Sequence, residues 1–513
     1  MSKQTFIKGA LILMIAGMIS RLLGFINRIV LARMLGDEGV GIYMLTLPAL
    51  FFVITLSQIG IPVAVSKLVA EAETNQQYDK IRKIVSLSLI ITVSLSIVLT
   101  LLLVAFAPYI STYLILDERT HLSLLAISPI IIIIAISAVF RGYFQGLQNM
   151  KPQAIAQVIE QIIRIIFVFI LVRLTLPYGL EAASAGAMVS VVIGEFGSLL
   201  YIYYCYKRNK QNIVAKTVNT AHYKMKQLYK RILDIALPTA GTRIIGSITY
   251  FLEPIFVSHT LIIAGYTISE STSLYGQLTG YIMPLLLLPT FITHSLSVAL
   301  IPSISEAHAL NHMQTVHYRI RQAIRLSFAS GGIATVIFVL LASTLLHLMY
   351  DTEASADMLT FMAPFFLLLY IQAPLQATLQ ALEYAKQAMI NSLIGAVVKL
   401  STLWLLATQP SFGIDGVMLS IIIGVIVVTF LHIISLYKLI HFTIPLSLIL
   451  KMLGLISVLI IIGQPILSIL SYLQPLWYVI TSIGFLGIIY LLGLVLLRII
   501  SKDEWDQLRA GRF

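Results

Sequence analysis

The sequence predicts an all-α polytopic membrane protein of about fourteen spans, arranged as two pseudo-symmetric six-helix lobes and two extra C-terminal helices. Three observations carry this. Of 513 residues, 58% are hydrophobic and only 11% charged, and mean hydropathy is +0.94. A water-soluble fold has too little polar surface to cover such a chain. Apolar runs of about 20 residues, enough to cross ~30 Å of hydrocarbon, recur along the whole length. Segments of one half also return in the other. Ten-residue stretches of alternating polarity are missing, which excludes a transmembrane β-barrel.

The runs place helices at about 9–31, 42–66, 84–107, 122–146, 154–175, 183–206, 233–259, 273–300, 326–349, 358–382, 387–408, 415–437, 446–470 and 475–499. The first follows Lys3 and Lys8, as a signal peptide would. Arginines then stand where a small-residue cleavage site should be, so the segment reads as a retained helix. An even count leaves both ends on one side. Loops on that side hold most of the 34 Lys and Arg, including Lys67, Lys80, Arg82, Lys83, Arg141, Lys151 and the run from Lys207 to Arg231. The opposite loops are short and carry "LDERTH", "PYGLE", "YDTEASAD" and "PSFGID". Lys and Arg stay cytoplasmic in short loops, so both termini are expected in the cytoplasm. The +12 net charge is then a topology signal and calls for no nucleic-acid partner.

The repeat fixes the domain division. "SRLLG" at 20–24 returns as "TRIIG" at 242–246, and "FQGLQNMKPQAIAQVIEQIIR" at 144–164 lines up without gaps on "LQALEYAKQAMINSLIGAVVK" at 379–399. The second match has an offset of 235, which also sets Pro129 on Pro364 and Arg164 on Lys399. The expected units are an N-lobe at 1–206, a basic cytoplasmic linker at 207–231, a C-lobe at 232–438, and two last helices with a tail at 439–513. Six spans per lobe make the repeats parallel, as in transporters that handle substrate between lobes.

Charges inside the spans mark the candidate site. A charge at mid-bilayer costs roughly 2.5–3.5 kcal/mol, so it should face protein or a water-filled cavity. Arg21 and Arg28 stand seven apart on one face of the first helix, with Gly17 and Gly24. Arg243 occupies the matching place in the seventh helix, and Lys399 lies in the eleventh. Arginine forks match phosphate or carboxylate in a bidentate manner, so the expected cargo carries an anionic group. Glu195 and Glu253 are candidate cation-coupling or cavity acids. Glu160 and Arg164, at i, i+4, read as a structural or cavity ion pair. Residues 303–325 read as an interfacial amphipathic helix with His308 and His312 at i, i+4, and without a third ligand no metal site is expected. One cysteine, Cys205, excludes an intrachain disulfide. No nucleophile triad or nucleotide-binding loop is present, so neither enzymatic activity nor ATP-driven transport by this chain is expected.

The stretches "SRLLGFINRIVLARMLGDEGVGIYML" and "FRGYFQGLQNMKPQAIAQVIEQIIR" resemble the multidrug/oligosaccharidyl-lipid/polysaccharide (MOP) exporter superfamily, and within it the stage V sporulation protein B and polysaccharide-exporter branch. The resemblance covers essentially the whole chain. It implies a V-shaped, MATE-like pair of lobes in a bacterial plasma membrane, working by alternating access as a monomer. The implied cargo is an undecaprenyl-pyrophosphate-linked cell-wall saccharide, lipid II-like and destined for spore cortex peptidoglycan. The alternatives are another lipid-linked polysaccharide unit, or a cationic drug exported by the same fold. No cofactor is implied. Membrane potential, Na+ or H+ are the candidate driving forces, and membrane lipids and cell-wall synthesis enzymes the candidate partners. Against MurJ-type lipid II flippases, the first-helix arginine falls on Arg21. The second falls on Asn27, with Arg28 one position later. The arginine expected in the second helix has no counterpart in "LTLPALFFVITLSQ".

Overall fold

The computed structural model describes residues 6–214 and 225–499. The centre of the expected linker and the basic C-terminal tail lie outside the described residues. The described chain is helical throughout, without strands: α1 Phe6–Gln58, α2 Ile61–Thr74, α3 Tyr78–Tyr109, α4 Thr120–Ile127, α5 Ile130–Gly146, α6 Lys151–Thr175 and α7 Leu180–Val214 come first. After the undescribed segment follow α8 Met225–Ile263, α9 Ile268–Gly276, α10 Met283–Leu287, α11 Thr290–Ala309, α12 Met313–Leu340, α13 Ala342–Tyr350, α14 Ala356–Ala381, α15 Ala385–Ala407, α16 Gly413–Ile440, α17 Leu446–Leu470 and α18 Pro475–Leu496.

All expected spans fall on these helices, with three differences. The first two run together: α1 is bent at Gly36 (φ 65°, ψ −177°), a backbone conformation open to glycine. Twelve described helices are long and apolar enough to cross a membrane, or thirteen if the bent pair Ile268–Leu287 and Thr290–Ala309 is one span. The shortfall from fourteen arises at Ile15–Thr74, 60 residues taken as one. At 1.5 Å per residue that stretch is ~90 Å long, about three times the hydrocarbon thickness. Finally, 303–325 is no separate amphipathic helix. A turn at Asn311 (φ 57°) divides it between α11 and α12, so His308 and His312 do not share a helix face.

The repeat is written in the backbone. Left-handed residues close helices at Gln76, Leu116 and Gln148 (φ 55°, 63° and 54°), and again 235 residues later at Asn311, Asp351 and Glu383 (φ 57°, 60° and 69°). The hydrogen bonds match too. Gln77 N–H donates to Ala72 O as His312 does to Ala307 O, and Asn149 to Phe144 O as Tyr384 to Leu379 O. These are helix C-caps that satisfy orphan carbonyls. None of the six residues is glycine, so each adopts a conformation that L-residues rarely take.

The described chain forms two compact units, Met1–Gly280 and Tyr281–Phe513. In the first of these, α8 and α9 pack with the N-terminal helices. In the first unit α2, α3, α5, α7 and α8 share a core around Val65, Leu68, Phe140, Tyr143, Ile202 and Ile232. α1 and α9 approach at backbone distance: a Cβ on Gly41 would lie 2.0 Å from Thr272 O, and one on Gly276 2.4 Å from Asp37 O. Gly41→Val should therefore force these helices apart and cost about 1–3 kcal/mol or more. A lower folded yield in detergent checks this, and a normal yield with unchanged thermal stability contradicts it. In the second unit α14 packs on α11, α12 and α16, and Tyr370 donates to Leu286 O at 2.8 Å. α17 and α18 pack on α12, where Gly332 makes room for the Tyr490 ring. Their outer faces expose Leu450, Ile461, Ile469 and Leu496, as lipid contact requires.

Candidate functional site

The first unit collects most of the expected residues. α1 and α8 touch through Phe52 and Phe251, stacked at 5.2 Å, and Phe51 and Tyr250 at 5.9 Å. Arg21 on α1 and Arg243 on α8 are both exposed. Each stands one turn from a glycine with nothing nearby: a Cβ on Gly17 or Gly246 would meet no atom within 4 Å. These faces border open space. Arg28, two turns beyond Arg21, is more constrained. Its Nη1 donates to Thr279 O at 3.2 Å, and its charge lies close to Tyr43 and Tyr250. Asn27, a residue away, is turned inward: it is buried, and its Oδ1 has no partner. Glu253 lies on α8 near Tyr250 and Tyr275.

A second polar group joins α5, α6 and α7. Arg164 Nη2 donates to Glu160 Oε1 at 2.5 Å, and Arg141 Nη2 donates to Glu195 Oε1. The Glu195 carboxyl is also within hydrogen-bond reach of Glu160. Sequence reading missed Arg141 here, because five residues from a helix end it looked like one more cytoplasmic charge. Its signal was Glu195, a carboxylate in a span that needs a cation. Gln161 links this group to α1: its Oε1 would lie 3.6 Å from a Cβ on Gly24, which stands between Arg21 and Arg28.

A third group lies at the other end of the unit. Arg119 grips Asp117 at 2.8 Å and Glu38 at 2.6 Å. Thr272 donates to Asp117 Oδ2 at 2.7 Å, Gln277 to Asp37 Oδ2 at 2.6 Å, and Ser269 to Glu38. Asp117 is 2% exposed and its hydrogen bond holds the Arg119 guanidinium above its ordinary range, against the effect of burial. Beyond the bend at Gly36, Glu38 thus meets Arg119 and Ser269 of α9, and Asp37 meets Gln277.

In the second unit, Lys399 on α15 runs its stem along Gly424 of α16, where a Cβ would come within 3.1 Å of Lys399 Cβ. About two turns earlier on α15, Asn391 donates to Ser435 at 2.9 Å and lies 3.0 Å from His432 Nδ1. Among the described residues no group of three His, Cys, Asp or Glu could hold a metal ion.

The profile of the polysaccharide biosynthesis protein family matches residues 6–308, more than half the chain. The chain belongs to this family. A second profile, MatE, matches residues 278–405. Among curated relatives, Stage V sporulation protein B of Bacillus subtilis is 50% identical over 84% of this chain and 83% of its own length. Sporulation protein YkvU of the same organism is 30% identical over 83% and 94%, and its lipid II flippase MurJ 25% identical over 77% and 76%. Within the family the chain is thus similar over most of its length to stage V sporulation protein B. Two solved structures share the fold: lipid II flippase MurJ in an inward closed conformation (TM-score 0.68, 18% identity, 94% of this chain and 98% of that one) and an inward-facing MATE transporter (0.67, 17%, 82% and 94%). The family member described here is a multi-pass membrane protein of transporter fold.

Proposed function

We propose that this protein is an alternating-access flippase for an undecaprenyl-pyrophosphate-linked saccharide, a lipid II-like precursor of spore cortex peptidoglycan. The observation that carries this reading is the pair Arg21 and Arg243, exposed on contacting helices beside open space at Gly17 and Gly246. Exposed guanidinium groups on membrane helices need water or an anion in front of them. Their forks match a pyrophosphate. The names of the relatives, a sporulation protein and a lipid II flippase, support the same cargo class. A cationic drug is a poorer fit, because Glu160 and Glu195 are already paired with arginines. In a spore-forming host lacking the protein, this reading expects a pyrophosphate-linked saccharide lipid to accumulate on the inner leaflet during sporulation. Unchanged pools of every such lipid would contradict it.

The proposed topology places both termini in the cytoplasm of the plasma membrane, with fourteen crossings if Ile15–Thr74 crosses twice. Single cysteines at the exposed positions Glu118, Ala354 and Ser411, in a Cys205→Ser background, should react with an impermeant thiol reagent added outside intact cells. Cysteines at Gln314 and Lys386, also exposed, should not. Labelling of that second pair would overturn the topology.

A further inference from the structure

Binding a pyrophosphate at Arg21 and Arg243 makes no use of Glu160 and Glu195. Arg141, Glu195, Glu160 and Arg164 form one chain of charges across α5, α7 and α6. Glu195 is 3% exposed. α7 comes this close because Gly194 lacks a side chain; a Cβ there would meet Glu160 O at 2.9 Å. Fully ionised, the four charges sum to zero. Two carboxylates in contact stay ionised together only while cations flank them. Withdrawing either arginine leaves an uncompensated negative charge, which proton uptake relieves.

Arg164 is the member placed to leave. Its Nε is buried without a partner, as is Gln161 Oε1 beside it. Both lie on the helix that Gly24 of α1 approaches, next to the Arg21–Arg28 face. Other groups facing the network are Tyr43 and, beyond it, Arg28, both from α1, and Gln161 Nε2, 3.5 Å from Glu160. α4 meets α7 further along, where Ser123 donates to Ser184.

The repeat shows that the fold itself does not require these acids. At an offset of 235, Arg141, Glu160 and Arg164 become Gln376, Gly395 and Lys399. Glycines Gly179 and Gly413, both with positive φ, set the offset at 234 in the next helix, so Glu195 becomes Thr429. α15 and α16 pack as extensively as neighbours should, with Gly395 against Val428, and keep the cation without either acid.

We propose that the Arg141–Glu195–Glu160–Arg164 network is a proton-binding site coupled to the anionic cargo, a proposal that rests on the pyrophosphate reading above. When the pyrophosphate draws Arg164 off Glu160, one proton from cytoplasmic water forms an O–H bond on the Glu160–Glu195 pair. When Arg164 returns, that proton goes back to water. No electrons are transferred.

The test uses purified full-length protein in detergent, weakly buffered at neutral pH, with a pH-indicator dye and farnesyl pyrophosphate as probe. Wild type should take up about one proton per protein on binding, whereas Glu195→Gln should bind the probe and take up almost none. Glu195→Gln strands Arg141, so Glu160→Gln, which leaves the neutral Arg141–Glu195 pair behind when Arg164 is drawn off, is measured alongside and decides the matter if Glu195→Gln does not fold. Binding to wild type without proton uptake overturns the coupling alone, as does wild-type uptake in Glu160→Gln. No binding to wild type overturns the pyrophosphate reading and the coupling with it.

Discussion

Arg21→Ala and Arg243→Ala should each lower transport or cargo binding by ~30- to several-thousand-fold. Truncating one partner of a desolvated charge pair costs roughly 2–5 kcal/mol, and each 1.4 kcal/mol is about tenfold. Both side chains are exposed, and neither is buttressed by packing that a truncation would collapse. The folded protein should therefore reach normal membrane levels. Lysine keeps the charge and loses the fork, so Arg21→Lys should fall between wild type and Arg21→Ala. Arg28→Ala should behave differently. Arg28 already serves Thr279 O, so its loss should reduce thermal stability as well as transport. Complementation of a loss-of-function strain, with membrane levels checked for each variant, separates these outcomes. Normal transport by Arg21→Ala and Arg243→Ala at normal levels would make both arginines structural.

The second large effect concerns Arg119. Breaking a fully buried ion pair costs about 3–5 kcal/mol, and with Arg119 about a third exposed, roughly 2–3 kcal/mol is expected for Arg119→Ala. Asp117, buried at 2% exposure, would keep only Thr272 and the Arg119 backbone N–H. Glu38 would keep only Ser269. The apparent Tm of the purified protein should fall by ~2–3 °C. Adding Asp117→Asn, which removes the stranded charge, should recover part of the loss. An unchanged Tm in Arg119→Ala would mean that water replaces the guanidinium at no cost.

The helices were legible because hydropathy acts on every residue of a span. The repeat was legible from short motifs at 144–164, and the backbone extends it to residues such as Gln76 and Asn311, whose side chains carry no shared signal. A left-handed cap depends on φ, and Gln, Asn, Leu, Asp and Glu all accept it when packing demands. The bend at Gly36 was the least legible feature. Glycine permits many conformations, and nothing local says that Asp37 and Glu38 turn toward α9 rather than Arg28. Charges inside spans were visible as such, but their partners were not. Pairing Arg141 with Glu195 requires knowing that α5 and α7 are neighbours 54 residues apart. Arg21 and Arg243, by contrast, were found by sequence and by repeat. Their open surroundings follow from Gly17 and Gly246, visible beforehand only as small residues on the same faces.

The central claim is that a pyrophosphate-linked lipid crosses the membrane through this protein. The most direct measurement is translocation in proteoliposomes of a fluorescent undecaprenyl-pyrophosphate-linked muropeptide, read by quenching of the outer leaflet. With wild type, label protected in the inner leaflet should become quenchable with time, and with Arg21→Ala/Arg243→Ala it should stay protected. Protection that is identical with wild type, the double variant and protein-free vesicles would contradict the account.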